Sequence, residues 1–218
     1  MRIALLGLPG AGKGTQGELL AKKYNLKKIT VGDIYRKIAE EDTEFGRKIR
    51  EILDRGEIVP DDITNELVKE RIEKLDGWIL DGYPRTLYQA KFLEENFQNY
   101  IVVYIDVDVE EIVKRLSARR ICPKCGAVYN MITKPPKNDE TCDVCGTKLV
   151  IRDDDKPEVV RKRIEVQKKN IDQMIEYYKN NEKLIVVNGN KSIREVFEEI
   201  VKKIGEYCER KNICDDKA

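Results

Sequence analysis

The residues with the clearest chemistry stand at the start of the chain. Gly7-Leu8-Pro9-Gly10-Ala11-Gly12-Lys13-Gly14-Thr15 fits a G-x4-G-K pattern. That pattern cradles phosphate when it follows a strand and opens a helix. Its glycines let the backbone turn N–H groups inward around an anion, and the positive end of the following helix adds to the field. Lys13 supplies a mobile cation for the outer phosphates. Gly14 follows Lys13, so the hydroxyl comes one place later, at Thr15. Asp81 closes the apolar run Trp78-Ile79-Leu80. An acidic residue at the carboxyl end of a strand beside such a loop is where Mg²⁺ is held, directly or through water. The other reading of Asp81 is a cap for the next helix.

A second constellation lies mid-chain. Cys122-Pro123-Lys124-Cys125 and Cys142-Asp143-Val144-Cys145 are two C-x2-C pairs, each followed by a glycine, Gly126 and Gly146. The spacing fits a tetrahedral metal, Zn²⁺ first among thiophilic ions. Four thiolates leave no position for a catalytic water, so the site is expected to be structural. A redox C-x-x-C is the alternative, disfavoured because neither pair opens a helix. Cys208 and Cys214 lie outside the set, as plain thiols or as a local disulfide.

Composition limits the partners. Lys+Arg number 41 and Asp+Glu 40, a net charge of +1. A nucleic-acid or polybasic membrane binder carries a basic excess, so neither partner is expected. There is no histidine, which removes Ser–His and Cys–His catalysis. No stretch reaches the apolar length of a membrane span, and Met1-Arg2 leads directly into a short apolar run without a cleavage site. These features point to a cytoplasmic chain, in which cysteines serve as metal ligands or free thiols.

The elements that must position these residues alternate. Short apolar or β-branched runs fall at 2–6, 27–29, 77–81, 99–106 and 184–188. Segments of helical period fall at 14–24, 32–54 (broken near Asp42), 61–74, 86–96, 108–120, 156–180 and 192–209. Strand–helix alternation of this kind predicts an α/β fold, a parallel sheet covered on both faces. Residues 121–152 break the pattern and are too long for an ordinary connection, so they form a functional insertion with its own staple. After it, Asp155-Lys156-Pro157-Glu158 opens a long helix with Asp155 as its expected N-cap.

Several segments together resemble the adenylate kinases. They are Gly10-Ala11-Gly12-Lys13-Gly14-Thr15-Gln16, Gly32-Asp33, Asp81-Gly82-Tyr83-Pro84-Arg85-Thr86, Arg119-Arg120, Val159-Val160-Arg161-Lys162-Arg163 and the cysteine-bearing insertion. The resemblance covers essentially the whole chain, in order. It implies a P-loop fold with a five-stranded parallel sheet, and a CORE made of residues 1–29, 60–120 and 153–218. An AMP-binding lobe at 30–59 and a zinc-stapled LID at 121–152 complete it. It implies Mg²⁺-dependent, reversible transfer of phosphoryl from ATP to AMP, giving two ADP, by a monomer.

Carried over residue by residue, the resemblance assigns Gly10, Ala11, Gly12, Lys13, Gly14 and Thr15 to the ATP phosphates. Arg115, Val128, Tyr129 and Lys191 fall near the ATP base or ribose. Arg36 and Arg85 take the AMP phosphate. Val31, Glu57, Ile58, Val59, Gly82, Tyr83 and Pro84 frame AMP, and Gln89 reads its adenine edge. Arg119, Arg152 and Arg163 close on the transferring group, while Asp81, Asp154 and Asp155 belong to the magnesium and lid network. Arginine suits these places because its planar fork binds phosphate oxygens bidentately. Taken singly, Arg119 and Arg120 also read as solvated cations at a helix C-terminus. Val31 stands where the family usually carries a threonine that contacts the AMP base. An apolar contact there keeps CMP and UMP kinases as rival readings. A zinc-ribbon nucleic-acid binder switched by ATP is the rival of another class.

Overall fold

The computed structural model describes residues 1–138 and 140–211. Five strands form one parallel sheet: β1 (Arg2–Leu6), β2 (Lys27–Thr30), β3 (Trp78–Asp81), β4 (Ile101–Asp106) and β7 (Leu184–Asn188), in the order β2-β3-β1-β4-β7. Parallel strands need crossovers, and helices supply them. The crossover helices are α1 (Lys13–Tyr24), α2 (Val31–Glu40), α3 (Glu44–Asp54), α4 (Asp61–Ile72), α5 (Leu87–Asn96), α6 (Val109–Ser117) and α7 (Pro157–Asn180), and α8 (Ile193–Lys211) follows the last strand. Central strands covered on both faces read as continuous apolar runs. In β1 and β3 every residue from Ile3 to Leu6 and from Trp78 to Asp81 is buried. Trp78 packs edge-on to Phe97 and tilted against Tyr100, which meets Tyr178 of α7 edge-on, tying α7 to the sheet.

The break expected near Asp42 separates α2 from α3. Thr43 caps α3, its Oγ1 accepting from Gly46 N–H at 2.9 Å. Residues 119–150 form a separate small unit. Two antiparallel strands, β5 (Arg119–Ile121) and β6 (Val128–Asn130), carry it, with isolated bridges at Ile121–Val150 and Thr141–Lys148. Among the described residues its own buried core is Cys122, Tyr129, Cys142 and Leu149.

Two expectations change at the edges of this unit. The helix expected over 108–120 ends at Ser117, and Arg119 and Arg120 pair in β5 instead of sitting at a helix terminus. Asp155 does not cap α7. It lies in a 3-10 turn (Asp153–Asp155), the cap position is Lys156, and Pro157 opens the helix. Proline's fixed φ suits that first position, which leaves the Asp155 carboxylate available for other partners. Cys208 is buried on α8, and Cys214 lies outside the described residues. Among the described residues no helix is long and apolar enough to cross a membrane.

Candidate active site

Parallel strands gather their carboxyl ends on one side, and the register sets three of them level. Leu5, Asp81 and Thr30 are partners across β1, β3 and β2. From β1 the chain runs straight into the glycine loop, and α1 begins at Lys13 with Gly12 as its cap in the left-handed region (φ 97°). An L side chain is strained in that conformation. Gly10 is restricted too, because a Cβ there would meet Leu116 Cγ at 2.9 Å.

Lys13 folds back over this loop. Its Nζ donates to the carbonyls of Gly7 (2.7 Å) and Leu8 (2.9 Å). Burial lowers its pKa to about 8, and Arg85, Arg163 and Arg119 push the same way against the pull of Asp81. Asp81 is buried at the end of β3 and faces the start of α1, where a Cβ on Gly14 would lie 3.4 Å from its Oδ2.

Five arginines converge on the loop from separate elements. Arg85 donates Nε to the Gly82 carbonyl at 2.8 Å. Burial, then Arg163, brings it down to about 10; burial, then Arg36 and Arg119, does the same to Arg152. Both still carry full charge at neutral pH. Arg119 forms a two-point pair with Asp155, with Nε to Oδ2 at 2.6 Å. Arg163 reaches Asp154 Oδ2 at 3.1 Å and Asp155 Oδ1 at 3.5 Å. Burial alone raises the Asp154 carboxyl, but Arg163, Arg36, Arg119 and Arg152 outweigh it and hold that group below its usual value. Arg36 pairs with Asp33 and lies 3.7 Å from Asp154, while Arg152 lies 3.9 Å from Asp33. These long pairs join α2 to the segment before α7. Arg152 Nε is buried with no acceptor among the described residues. A buried cationic donor left open is costly, and a phosphate oxygen is the acceptor it suits.

The cavities sort the residues singled out by sequence. A cleft of about 640 Å³ is lined by Gly10, Ala11, Gly12, Lys13, Gly14, Thr15, Asp81, Arg115, Arg119, Val128, Tyr129, Arg152 and Lys191. A slot of about 30 Å³ is lined by Val31, Glu57, Ile58, Val59 and Gln89. Arg36, Gly82, Arg85 and Arg163 line both. Pro84 borders a smaller void of about 10 Å³ behind Lys13 and Gly82. Tyr83 reaches none of these. It is fully buried, and its hydroxyl donates to Asn65 Oδ1 at 2.7 Å, so its side chain packs in the core. Gln167 lines both the cleft and the slot and was not anticipated. Its one sequence signal is its place four residues after Arg163, on the same helical face.

The mid-chain cysteines also meet. The four Sγ atoms of Cys122, Cys125, Cys142 and Cys145 lie within 4.8 Å of one another. Gly126 N–H donates to the Cys122 carbonyl (3.0 Å) and Gly146 N–H to that of Cys142 (2.8 Å), closing two matching knuckles. Both glycines are left-handed, at φ 74° and 70°. This set is compatible with structural zinc, being four soft donors with no further ligand among them. Tyr129 bridges the cluster and the cleft. Its hydroxyl lies 3.5 Å from Cys142 Sγ and accepts from Asp143 N–H at 2.8 Å.

Known proteins match along this whole arrangement. The family model described as adenylate kinase matches residues 5–183. An adenylate kinase from Petrotoga mobilis is 54% identical over 205 residues, covering 92% of this chain and 95% of that protein. One from Thermosipho africanus is 48% identical, covering 92% and 98%. One from Caldanaerobacter subterraneus subsp. tengcongensis is 47% identical, covering 93% and 95%. With the phosphate loop, the converging arginines and the slot all inside the matched span, the chain belongs to the adenylate kinase family, whose members transfer phosphoryl groups between adenine nucleotides.

Proposed function

We propose that the chain transfers the γ-phosphoryl of ATP reversibly to AMP, with ATP in the larger cleft and AMP in the slot. The observation that carries this assignment is the junction. Arg36, Arg85 and Arg163 line both spaces, so a phosphoryl group passing between two nucleotides stays within reach of fixed cations throughout.

The roles follow from charge. Phosphoryl transfer asks little covalent chemistry of a protein; it asks for placement and for stabilisation of spreading negative charge. The loop amides from Gly10 to Thr15 hold the donor phosphates, and Lys13 turns from the Gly7 and Leu8 carbonyls to the outer phosphates. Arg119 and Arg163 exchange their Asp partners for equatorial oxygens, and the unpaired Arg152 Nε–H donates to one. Arg36 and Arg85 hold the AMP phosphate. Val31, Ile58 and Val59 form apolar walls for its base, and Gln89 meets the polar edge. Arg115, Val128 and Lys191 border the donor's base and ribose. The acceptor oxygen is already ionised, so no general base is required.

When bound with ATP, Mg²⁺ would supply charge neutralisation across its phosphates. Asp81 is the carboxylate that would hold it, since Gly14 offers no hydroxyl. Zinc held by the four cysteines would supply rigidity alone, keeping the lid at 121–152 one body. The slot holds only a few waters' worth of space. AMP therefore enters by movement of the lobe at 30–59, and closure of both lobes excludes the water that would otherwise hydrolyse ATP. We further assign a monomer working in the cytoplasm.

A coupled assay with Mg²⁺-ATP and a panel of monophosphates tests the acceptor assignment. AMP is expected to exceed CMP and UMP in kcat/KM by about tenfold or more, with two ADP formed for each AMP consumed. Equal turnover of CMP or UMP contradicts it.

A further inference from the structure

The Gln89 side-chain amide is held in one orientation, and Asp61 is half of what holds it. Gln89 is fully buried at the wall of the slot. Its Nε2 donates to Asp61 Oδ1 at 2.7 Å, and its Oε1 accepts from the Arg85 backbone N–H at 2.7 Å. A carboxylate only accepts and a backbone N–H only donates, so these two partners together admit a single orientation. Asp61 is itself fixed. The Thr86 hydroxyl donates to its Oδ2 at 2.8 Å, and Thr86 Oγ1 accepts from Gln89 N–H at 3.1 Å.

We propose that Asp61 is a positioning residue for base selection. By locking the Gln89 amide it makes the acceptor site take bases with an exocyclic amino group beside a ring-nitrogen acceptor. It makes the site refuse bases with a carbonyl beside a ring N–H. The proposal rests on the reading that Gln89 meets the acceptor base. With one bond made at each end, Gln89 keeps one amide hydrogen and one oxygen lone pair. That pair complements an amino donor next to a ring acceptor, the pattern of adenine. Hypoxanthine has the reverse pattern in the same shape. To meet it the amide must turn over, setting its NH₂ against the Arg85 N–H and its oxygen against the Asp61 carboxylate. Both contacts are like against like in a buried place, where mispaired polar groups are costly.

IMP is the probe, since it differs from AMP by a carbonyl in place of the amino group. kcat/KM for AMP and IMP is measured in the parent protein and in Asp61→Asn. Asparagine can turn either its oxygen or its amine toward Gln89, so both amide orientations become available. The AMP-to-IMP ratio is expected to fall by about tenfold or more, with KM for ATP unmoved. Thr86→Val, which strips the other partner from Asp61, is expected to lower the melting temperature and leave the ratio alone. If Asp61→Asn does not fold, Asp61→Ala removes the lock by deletion and is expected to narrow the ratio likewise. Gln89→Leu separates the two layers. If it leaves KM for AMP unchanged, the reading of Gln89 fails. If it raises that KM while the Asp61 variants keep the parent ratio, the lock is overturned and the reading stands.

Discussion

Lys13→Met is expected to lower kcat by about 10³-fold, roughly 4 kcal/mol of barrier, the scale of removing one well-placed donor from a developing charge. The variant is also expected to melt no lower than the parent. Both follow from one geometry. Lys13 is held over the loop by two carbonyls, in surroundings that bring its pKa to about 8. The unfolded chain binds that proton more tightly, with an ordinary value of 10.5. Stability therefore rises with pH between about 8 and 10.5, and below 8 the burial of the charge is a standing cost. Methionine removes the cost along with the cation.

ATP phosphates favour the charged lysine and raise its pKa again. Nucleotide binding near pH 9 is therefore expected to take up protons, and affinity for ATP should fall as pH rises through about 8. Calorimetric titration in two buffers of different ionisation heat reads the uptake directly. A methionine variant with kcat within tenfold of the parent, or ATP binding without proton uptake above pH 8, sinks this assignment.

Cys142→Ser is expected to strike stability and to spare phosphate affinity. Among the described residues the unit at 119–150 has four residues in its buried core, two of them cysteines, so little apolar burial holds it. A structural zinc contributes on the order of 10 kcal/mol or more in small modules of this kind. Losing one of four ligands should lower zinc content and bring the melting temperature down by about 10 °C, the effect of a few kcal/mol in a chain of this size. ATP affinity should change little, because the loop amides and Lys13 stand on the sheet. Metal analysis and scanning calorimetry check it. Unchanged zinc content with an unchanged melting temperature contradicts the structural role, and a loss of ATP affinity larger than the loss of stability contradicts its separation from the site.

Much of this was legible in the sequence, for identifiable reasons. Strands β1, β3 and β4 stand out because buried parallel strands read as unbroken apolar runs, Ile101 to Ile105 above all. The loop is legible because its glycines and lysine sit at fixed offsets. The cysteine knuckles are legible from the paired glycines that follow them. Strands β5 and β6 were not, because three residues leave no period to detect. Arg119 and Arg120 continue the helical pattern of α6 in the sequence, yet pairing of β5 with β6 decides their conformation. Asp155 matched a capping pattern, but Arg119 and Arg163 claim its carboxylate. Gln167 and the Asp61–Gln89 contact depend on helices brought together across the fold, and no local spacing encodes that. The tyrosine of the Asp81–Arg85 signature turned inward for a similar reason: its hydroxyl finds Asn65 of α4.

In the proposed mechanism two nucleotide sites share an arginine junction, and the loop holds only the donor. Steady-state titration of both substrates against Arg36→Ala tests it most directly. Arg36 stands on α2, apart from the loop, and its protein partners are Asp33 and Asp154. KM for AMP should rise by about tenfold or more, the effect of one lost charge-assisted bond, with KM for ATP within about twofold of the parent. Equal effects on both substrates, or a rise confined to ATP, contradict it.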